Sequence, residues 1–253
     1  MSQLQKRIQR IQRREGPAIG FGRVTREQPR AMALVATAKS TAEAQAALDA
    51  GADAVVFDAG DAAAAAAAMT GIASDKVAVG AIVNALSEAD AKTLREARCD
   101  FVVSSLESTD SAAVDTEAMG QLVLANLDMD DNTLRALGPL GLDGLFVRRG
   151  SGSMTLAQQL GLVRVASFAS TGLVVTVDPG ASVAELRVLR DSGTVAVVAP
   201  AGASADDLKK LSETLKAVPA PKKGKREGND IAILPSVRAG GEDEEGEEEE
   251  EME

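Results

Sequence analysis

The sequence predicts a single (β/α)8 barrel of the TIM type, an α/β fold in which eight parallel strands close into a ring and each strand precedes a helix. Eight short apolar runs alternate with helical patterns between residues 33 and 218, which is the count of such a barrel. The runs are apolar at successive positions, as expected of parallel strands covered on both faces. The length of 253 residues suits one barrel-sized domain, and a repeat of two strand–helix units supports the count.

Residues 33–60 contain the clearest strand–helix–strand unit, ALVATAKSTAEAQAALDAGADAVVFDAG. Ser40 and Glu43 have the spacing of a capping box, and Gly51 ends the helix. The same pattern predicts strands at 33–38, 54–58, 77–83, 101–105, 122–127, 144–148, 173–177 and 194–199. The predicted helices lie near 42–50, 61–73, 87–97, 112–119, 131–138, 154–168, 182–191 and 204–217. The helix at 112–119 has the weakest pattern, because it is short and polar.

The repeat places similar residues at equivalent ends of the strands. Asp53, Asp100 and Asp143 each stand just before an even-numbered strand. Each odd-numbered strand ends in a polar residue before the next helix begins: Lys39, Asn84, Asp128 and Asp178. A quarter-barrel ancestor would explain this arrangement.

The two ends of the chain differ from the barrel. Residues 1–32 form a basic helix and a lead-in, and residues 2–14 place three apolar side chains on one stripe. We expect this helix to cap the bottom of the barrel or to pair with a copy of itself; a basic surface for RNA or an anionic membrane is the alternative. Residues 219–253 contain a linker, an apolar island at 231–237 and a tail at 242–253. The tail has ten carboxylates and no cation, which predicts disorder.

Composition limits the chemistry that the chain can perform. It has no His, Tyr or Trp, so the usual proton shuttle at neutral pH is absent. The lone Cys99 excludes an intramolecular disulfide and any Cys/His metal cluster. No apolar run is long enough for a membrane span, and the start lacks a secretory apolar region. We therefore expect a cytoplasmic protein.

Polar residues at the carboxyl ends of the strands are the candidate site, because the chemistry of such barrels gathers there. The predicted rim consists of Lys39, Asp58, Asn84, Ser105, Asp128, Arg148 and Asp178. In one hypothesis Lys39 acts on a carbonyl substrate, Asp128 or Asp178 moves protons, and Arg148 binds an anionic group. In another, Asp58, Asp128 and Asp178 hold a divalent cation such as magnesium. The third is that these residues only cap helices or form a solvated ring.

The loops after the last three strands place small residues at predicted helix starts, where backbone N–H groups could bind a phosphate or another small anion. The residues concerned are Gly152, Gly180, Ser182, Gly202 and Ser204. Ser182 and Glu185 also have the spacing of a capping box, which needs no ligand. Asp206 and Asp207 near the last helix start oppose an anion.

Two segments, STAEAQAALDAGADAVVF and LRDSGTVAVVAPAGASADDLKKL, resemble the strand–helix–strand rhythm of the phosphate-binding barrels. These include thiamine-phosphate-synthase-like, indole-glycerol-phosphate-synthase-like and nitronate-monooxygenase-like enzymes. Lys39 is similar in placement to a first-strand catalytic lysine of the indole-glycerol-phosphate synthases. The longer lysine motif of those enzymes is absent, and the histidine of the nitronate-oxidising group has no counterpart here.

These observations favour a lyase or isomerase that acts on an anionic, phosphorylated or unphosphorylated, carbonyl compound. The alternative is a catalytically silent barrel that serves as a binding or assembly module. We expect a small anionic ligand and a homo-oligomer. Nucleic acid is not the expected partner, because the basic helix lacks interleaved aromatics. The sequence leaves the cofactor open, and both a magnesium ion and a flavin remain compatible with it.

Overall fold

The computed structural model describes residues 1–13, 30–73 and 77–219. Eight parallel strands form a closed barrel in chain order, and β8 pairs back onto β1. The strands are β1 (Ala33–Ala38), β2 (Ala54–Gly60), β3 (Ala78–Val83), β4 (Phe101–Ser104), β5 (Gly120–Ala125), β6 (Gly144–Val147), β7 (Leu173–Thr176) and β8 (Thr194–Ala199). The predicted fold class is therefore confirmed, and each predicted strand overlaps an observed one.

The helices surround this barrel. They are α1 (Gln3–Arg13), α2 (Thr41–Asp49), α3 (Ala62–Met69), α4 (Glu88–Glu96), α5 (Asp131–Leu137), α6 (Leu156–Ala169), α7 (Val183–Asp191) and α8 (Ala205–Ala217). Short 3-10 helices occupy Ser111–Ala113 and Gly138–Leu140. No helix in the described ranges is long and apolar enough to cross a membrane.

The predicted helix at 112–119 is wrong, because only the 3-10 helix Ser111–Ala113 forms there. The outer faces of β4 and β5 carry the buried polar residues Ser104 and Gln121, joined by a 2.8 Å hydrogen bond from the Gln121 amide. The Thr109 hydroxyl, in the loop after β4, also donates to Ser104 at 2.8 Å. A polar loop thus covers these strands where an apolar helix face would leave the buried polar groups unpaired.

Alternation along the strands produces two apolar layers. One set of side chains fills the barrel interior, including Val35, Val56 and Phe101, and the other packs between sheet and helices. Gly80 lies in the interior beside Phe101, and a Cβ at Gly80 would lie 2.3 Å from the aromatic ring. The absence of a side chain at this position therefore makes room for one of the few aromatic residues in the chain.

Helix α1 closes the amino-terminal end of the barrel. Leu4 and Ile8 are buried in the interior layer with residues from the strands. The Asp100 carboxylate accepts hydrogen bonds from the backbone N–H groups of Gln3 at 2.7 Å and Leu4 at 2.9 Å. The prediction that this helix caps the bottom of the barrel is confirmed.

The other two aspartates of the repeat also serve this end of the barrel. The Ser2 hydroxyl donates to Asp143, and the Arg7 guanidinium donates to the Asp53 carbonyl. The Asp53 carboxylate accepts the Leu34 N–H at 2.9 Å. The predicted lead-in after residue 13, up to residue 29, and the island and tail beyond residue 219 lie outside the described residues, so the domain boundaries there remain predictions.

Candidate active site at the barrel mouth

The carboxyl ends of the strands form the mouth of the barrel, and strand alternation determines which polar residues point toward it. In β2 the interior residues Ala54 and Val56 are followed at the same spacing by Asp58. Every second residue of the other strands also faces the interior, and continuing this alternation past the strand ends reaches five more predicted residues. They are Lys39 after β1, Asn84 after β3, Ser105 after β4, Arg148 after β6 and Asp178 after β7. The register Ala38↔Phe57 also places Lys39 beside Asp58 on neighbouring strands.

An ion pair crosses the mouth. The Arg148 guanidinium lies 3.3 Å from the Asp58 carboxylate, although β6 and β2 stand on opposite sides of the eight-stranded ring. The two side chains are 55% and 46% exposed, so both remain in contact with solvent. The structure therefore brings together two of the predicted rim residues that are 90 positions apart in sequence.

Lys39 and Asn84 stand on either side of Asp58. The backbone N–H of Lys39 donates to the Glu43 carboxylate at 2.9 Å, and Ser40 accepts the Glu43 N–H. The Glu43 carboxylate thus accepts the N–H of Lys39, the residue before the N-cap Ser40, and not the N–H of Ser40 itself. The predicted capping box is therefore incomplete. The Asn84 N–H donates to the Gly60 carbonyl at 2.9 Å. Gly60 has φ +78, and a Cβ there would lie 3.2 Å from the Asn84 side-chain nitrogen, so the amide packs against the end of β2.

A second polar group joins the loops after β6 and β7. The Asp178 carboxylate accepts the Gly152 N–H at 3.0 Å, which connects two of the predicted residues. Arg149 binds the Gly152 carbonyl at 2.9 Å and the Glu185 carboxylate at 2.5 Å. Glu185 therefore pairs with Arg149, and its predicted capping box with Ser182 does not form. This network fixes the loop that follows Arg148.

Arg149 is a buried charged residue that the sequence reasoning missed. Its side chain is only 5% exposed, and its Nε is one of two buried side-chain atoms without a hydrogen-bond partner in the described part of the chain. The backbone N–H of Arg149 also donates to the Thr176 hydroxyl at 2.7 Å. Arg149 lies two residues beyond the end of β6, and continued alternation after Arg148 places it on the outer side of the barrel wall, where its contacts stabilise the loops.

Two predicted rim residues make local contacts. The Ser105 hydroxyl donates to the nearby Glu107 at 2.7 Å. Asp128 lies three positions beyond the end of β5, and its N–H donates to the Asn126 side chain at 3.0 Å. The prediction placed this strand at 122–127, whereas β5 ends at Ala125. Asn126, not Asp128, is therefore the residue that follows β5 directly.

The small residues of the last loops lie at helix starts, as predicted. Ser182 and Ser204 are the N-caps of α7 and α8, and their hydroxyls accept N–H groups from Glu185 and Asp207 at 3.2 and 3.1 Å. Asp207 completes a capping box, so a carboxylate already occupies the start of α8. Gly180 and Gly202 precede these two serines in their loops, and a Cβ at either glycine would meet nothing within 4 Å.

The magnesium hypothesis does not match the geometry of the acidic residues. Within residues 1–13, 30–73 and 77–219, no three His, Cys, Asp or Glu side chains are close enough to hold a metal ion. Asp58 contacts Arg148, and Asp178 contacts Gly152. The three aspartates proposed as ligands therefore do not form a group.

Among the described residues, three cavities lie at the amino-terminal end of the barrel, away from the mouth. One of about 300 Å³ borders Ser2 and Asp100, and one of about 410 Å³ borders Ile11 and Thr194. A third, of about 380 Å³, lies between the carboxyl-terminal ends of α6 and α7 and borders Val163. These concavities are separate from the polar groups at the mouth.

No protein-family model matches this sequence, and no curated protein is similar to it in sequence. Solved structures do match its fold. A protein of Aquifex aeolicus VF5 has a TM-score of 0.58 and 11% identity, over 87% of this chain and 100% of its own. A mutant tryptophan synthase alpha-subunit of Pyrococcus furiosus has a TM-score of 0.56 and 10% identity, over 75% of this chain and 98% of its own.

A structure described as native KDPGal has a TM-score of 0.54 and 15% identity, over 73% of this chain and 95% of its own. Likeness at these identities shows the fold alone. The class that the fold defines is the TIM-type (β/α)8 barrel, which agrees with the closed ring of eight strands. The resemblance to the phosphate-binding barrels stays a prediction at the finer level.

Proposed function

We propose that this barrel is a lyase or isomerase that acts on an anionic carbonyl compound at its mouth. The observation that carries the proposal is the contact between Arg148 and Asp58. This contact holds the guanidinium over the mouth, close to the end of β2, where Asp58 lies beside Lys39 of the neighbouring strand end. Active sites of such barrels lie at this face. That one similar structure is named a synthase adds support by analogy of fold.

Arg148 is the group that binds the anion of the substrate. An exposed ion pair contributes only about 0–1 kcal/mol, so a carboxylate or phosphate can replace Asp58 as the partner of Arg148 at little cost. The planar guanidinium binds such oxyanions with two parallel hydrogen bonds. The exchange also releases Asp58 beside Lys39, where it can accept a proton.

Lys39 is the proposed nucleophile. Its neutral amine attacks the carbonyl carbon, a C–N bond forms, and the carbonyl oxygen leaves as water with the two amine protons. The resulting imine withdraws electrons from the neighbouring carbon, which favours loss of a proton or cleavage of a carbon–carbon bond. Asp178 is positioned by the Gly152 N–H and is the first candidate to move protons, and Asp128 is the second.

A phosphorylated substrate would place its phosphate toward the loops of Gly180 and Gly202, where a Cβ would meet nothing within 4 Å. Ser182 and Ser204 lie in these two loops, and Gly152, in the loop after β6, donates its N–H to Asp178 beside the first of them. The Asp207 carboxylate at the start of α8 opposes a phosphate there, which favours the loop before α7.

Borohydride trapping tests the proposal. The full-length protein is incubated with pyruvate or with dihydroxyacetone phosphate, reduced, digested and mapped by mass spectrometry. We expect a stable secondary amine on Lys39. The adduct should be absent in Lys39→Met, and its yield should be lower in Arg148→Gln.

Lys92→Met is the matched control, because Lys92 is an exposed lysine on α4, away from the strand ends. It should leave the yield at Lys39 unchanged. Adducts spread evenly over exposed lysines, or no adduct on Lys39 with any carbonyl probe, would contradict the imine chemistry.

A binding or assembly module is the second candidate function. It is favoured by the position of three cavities at the amino-terminal end and by the apolar outer face of α6. Self-association of a protein that traps no carbonyl compound would support this function.

A further inference from the structure

The loop after β6 begins with two arginines that lie on opposite sides of the barrel wall. The Arg148 side chain is 55% exposed at the mouth, whereas that of Arg149 is only 5% exposed. Alternation past the end of β6 explains this difference, because neighbouring residues of an extended chain point to opposite faces. Arg148 can therefore meet a substrate, and Arg149 can act on the mouth only through the residues that it holds.

Arg149 ties the loop to the next strand and to the next helix. Its guanidinium donates to the Gly152 carbonyl at 2.9 Å and to the Glu185 carboxylate on α7 at 2.5 Å. The backbone N–H of Arg149, which directly follows Arg148, donates to the Thr176 hydroxyl at 2.7 Å. This hydroxyl donates back to the Arg149 carbonyl at 3.2 Å. The main chain is thus fixed immediately after Arg148.

Gly152 connects this network to Asp178. The Gly152 N–H donates to the Asp178 carboxylate at 3.0 Å, and the Gly152 carbonyl accepts from Arg149, so the glycine is bound from both sides. Gly152 has φ +101, a conformation that residues other than glycine rarely adopt. The position of the Asp178 carboxylate therefore depends on a loop shape that Arg149 maintains.

The buried pair of Arg149 and Glu185 is a costly way to stabilise a loop. Taking two charges out of water costs free energy that their attraction only partly returns, and apolar side chains of similar size often stabilise as well. The Arg149 Nε adds to this cost, since it is buried without a hydrogen-bond partner within the described ranges. Apolar side chains, however, cannot bind a carbonyl and a carboxylate in one fixed plane, as the guanidinium does. The pair therefore provides geometry more than stability.

We propose that Arg149 is a positioning residue, which holds Arg148 and Asp178 in the arrangement that an anionic carbonyl compound requires at the mouth. This inference rests on the proposed function, in which Arg148 binds the anion and Asp178 moves protons. Arg149 acts through these two residues, because its own side chain is enclosed by the loop and α7. A displacement of about 1 Å at a reacting group can lower a rate by ~100-fold, so loss of Arg149 reduces the chemistry even where the fold is kept.

A double variant separates positioning from stability. Arg149→Met with Glu185→Leu leaves neither charge buried alone, so it should be far more stable than Arg149→Met. The rate of adduct formation on Lys39 is measured against pyruvate concentration, with cyanoborohydride as the reductant of the imine. In the double variant we expect the half-saturating concentration to rise and the limiting rate to fall, each at least ~10-fold, because Arg148 and Asp178 are both released. Recovery of both parameters together with stability would make Arg149 purely structural and overturn the proposal.

Arg95→Met is the matched control. Arg95 is likewise paired with a carboxylate, that of Asp115 at 3.3 Å, but it borders a cavity at the amino-terminal end of the barrel. This variant should leave both parameters unchanged. If the double variant does not fold, Arg149→Lys replaces it, because an ammonium keeps the charge beside Glu185 but lacks the planar fork. Both parameters should then change in the same directions, and wild-type values would overturn the proposal.

Amide exchange distinguishes a failure of this inference from a failure of the proposed function. A wild-type protein that forms no adduct on Lys39 contradicts the imine chemistry. Exchange of the Gly152 N–H with water, measured by NMR without any substrate, then decides the role of Arg149. It should be at least ~10-fold faster in the double variant and unchanged in Arg95→Met. Equal exchange in the wild type and the double variant overturns the positioning role.

Discussion

The Asp100 carboxylate caps helix α1 from 96 positions away, because it accepts the N–H groups of Gln3 and Leu4. The residue before β4 thereby supplies the acceptor that helix starts usually find in their own sequence. The contact fixes the helix whose Leu4 and Ile8 close the barrel. It also gives Asp100, the residue before β4, a structural role separate from the mouth.

Asp100→Ala should lower the free energy of unfolding by about 1–3 kcal/mol, because two backbone donors at the start of α1 lose their acceptor. Urea denaturation monitored by circular dichroism measures the change. Asp110→Ala is the control, since Asp110 precedes a 3-10 helix and makes no side-chain cap bond. Equal effects of the two substitutions would contradict the capping role.

The aspartates beneath α1 predict a dependence of stability on pH. Burial raises the pKa of Asp100 and Asp143 above their ordinary value of 3.8, and the negative charge of Asp100 raises that of Asp143 further. Hydrogen bonds from the Gln3 and Leu4 N–H groups and the charges of Lys6 and Arg7 lower the pKa of Asp100, but by less than burial raises it. The Ser2 hydroxyl and the terminal amine act in the same way on the pKa of Asp143. The native state therefore holds these protons more tightly than the unfolded chain does.

The resulting contribution to stability is fully present below pH 3.8 and is lost as the pH rises through the raised native pKa. Asp143→Asn removes one of the two groups. The unfolding free energy of the wild type minus that of the variant should therefore fall as the pH rises above 3.8. Urea titrations across this range measure it, and a difference that grows in favour of the wild type would contradict the prediction.

Gly80→Ala should destabilise the protein by about 1–3 kcal/mol, because the added methyl group collides with the Phe101 ring inside the barrel. Thermal unfolding measures the loss. Phe101→Leu in the same chain should recover part of it, since the smaller side chain makes room. Gly150→Ala is the control because a Cβ there meets nothing within 4 Å; an equal loss at both glycines would rule out the steric explanation.

Arg149→Met should cost about 3–5 kcal/mol, because the largely buried Glu185 carboxylate is left without its guanidinium. The double variant Arg149→Met with Glu185→Leu should recover much of this, since neither charge then remains. Unfolding free energies of the two single variants and the double variant complete the cycle. Additive losses would show that the pair does not interact.

The sequence was sufficient to find the strands because each contains a short apolar run, as in Ala78–Val83. It was insufficient where polar residues are buried. Gly120 and Gln121 begin β5, two residues before the predicted start, and the Ser104 partner that lets Gln121 be buried lies on another strand. Because the predicted strand lay two residues too late in the sequence, Asp128 was chosen as the residue after β5 in place of Asn126.

The site shows the same limit. Their position at the carboxyl ends of strands was enough to assign Asp58 and Arg148 to the mouth, but their pairing depends on closure of the ring, which local sequence does not encode. Arg149 and Glu185 are 36 positions apart and come together only because β6 and β7 are neighbours. The capping boxes inferred at Glu43 and Glu185 failed because each carboxylate found another donor.

The central claim is that the mouth, with Arg148 over it, binds an anionic carbonyl compound. NMR titration of the isotope-labelled full-length protein with pyruvate and dihydroxyacetone phosphate tests this most directly. We predict that the signals of Arg148, Asp58 and Lys39 shift together and that Arg148→Gln abolishes the response. Shifts confined to the residues around Ser2 and Asp100, or no shift with either compound, would contradict it.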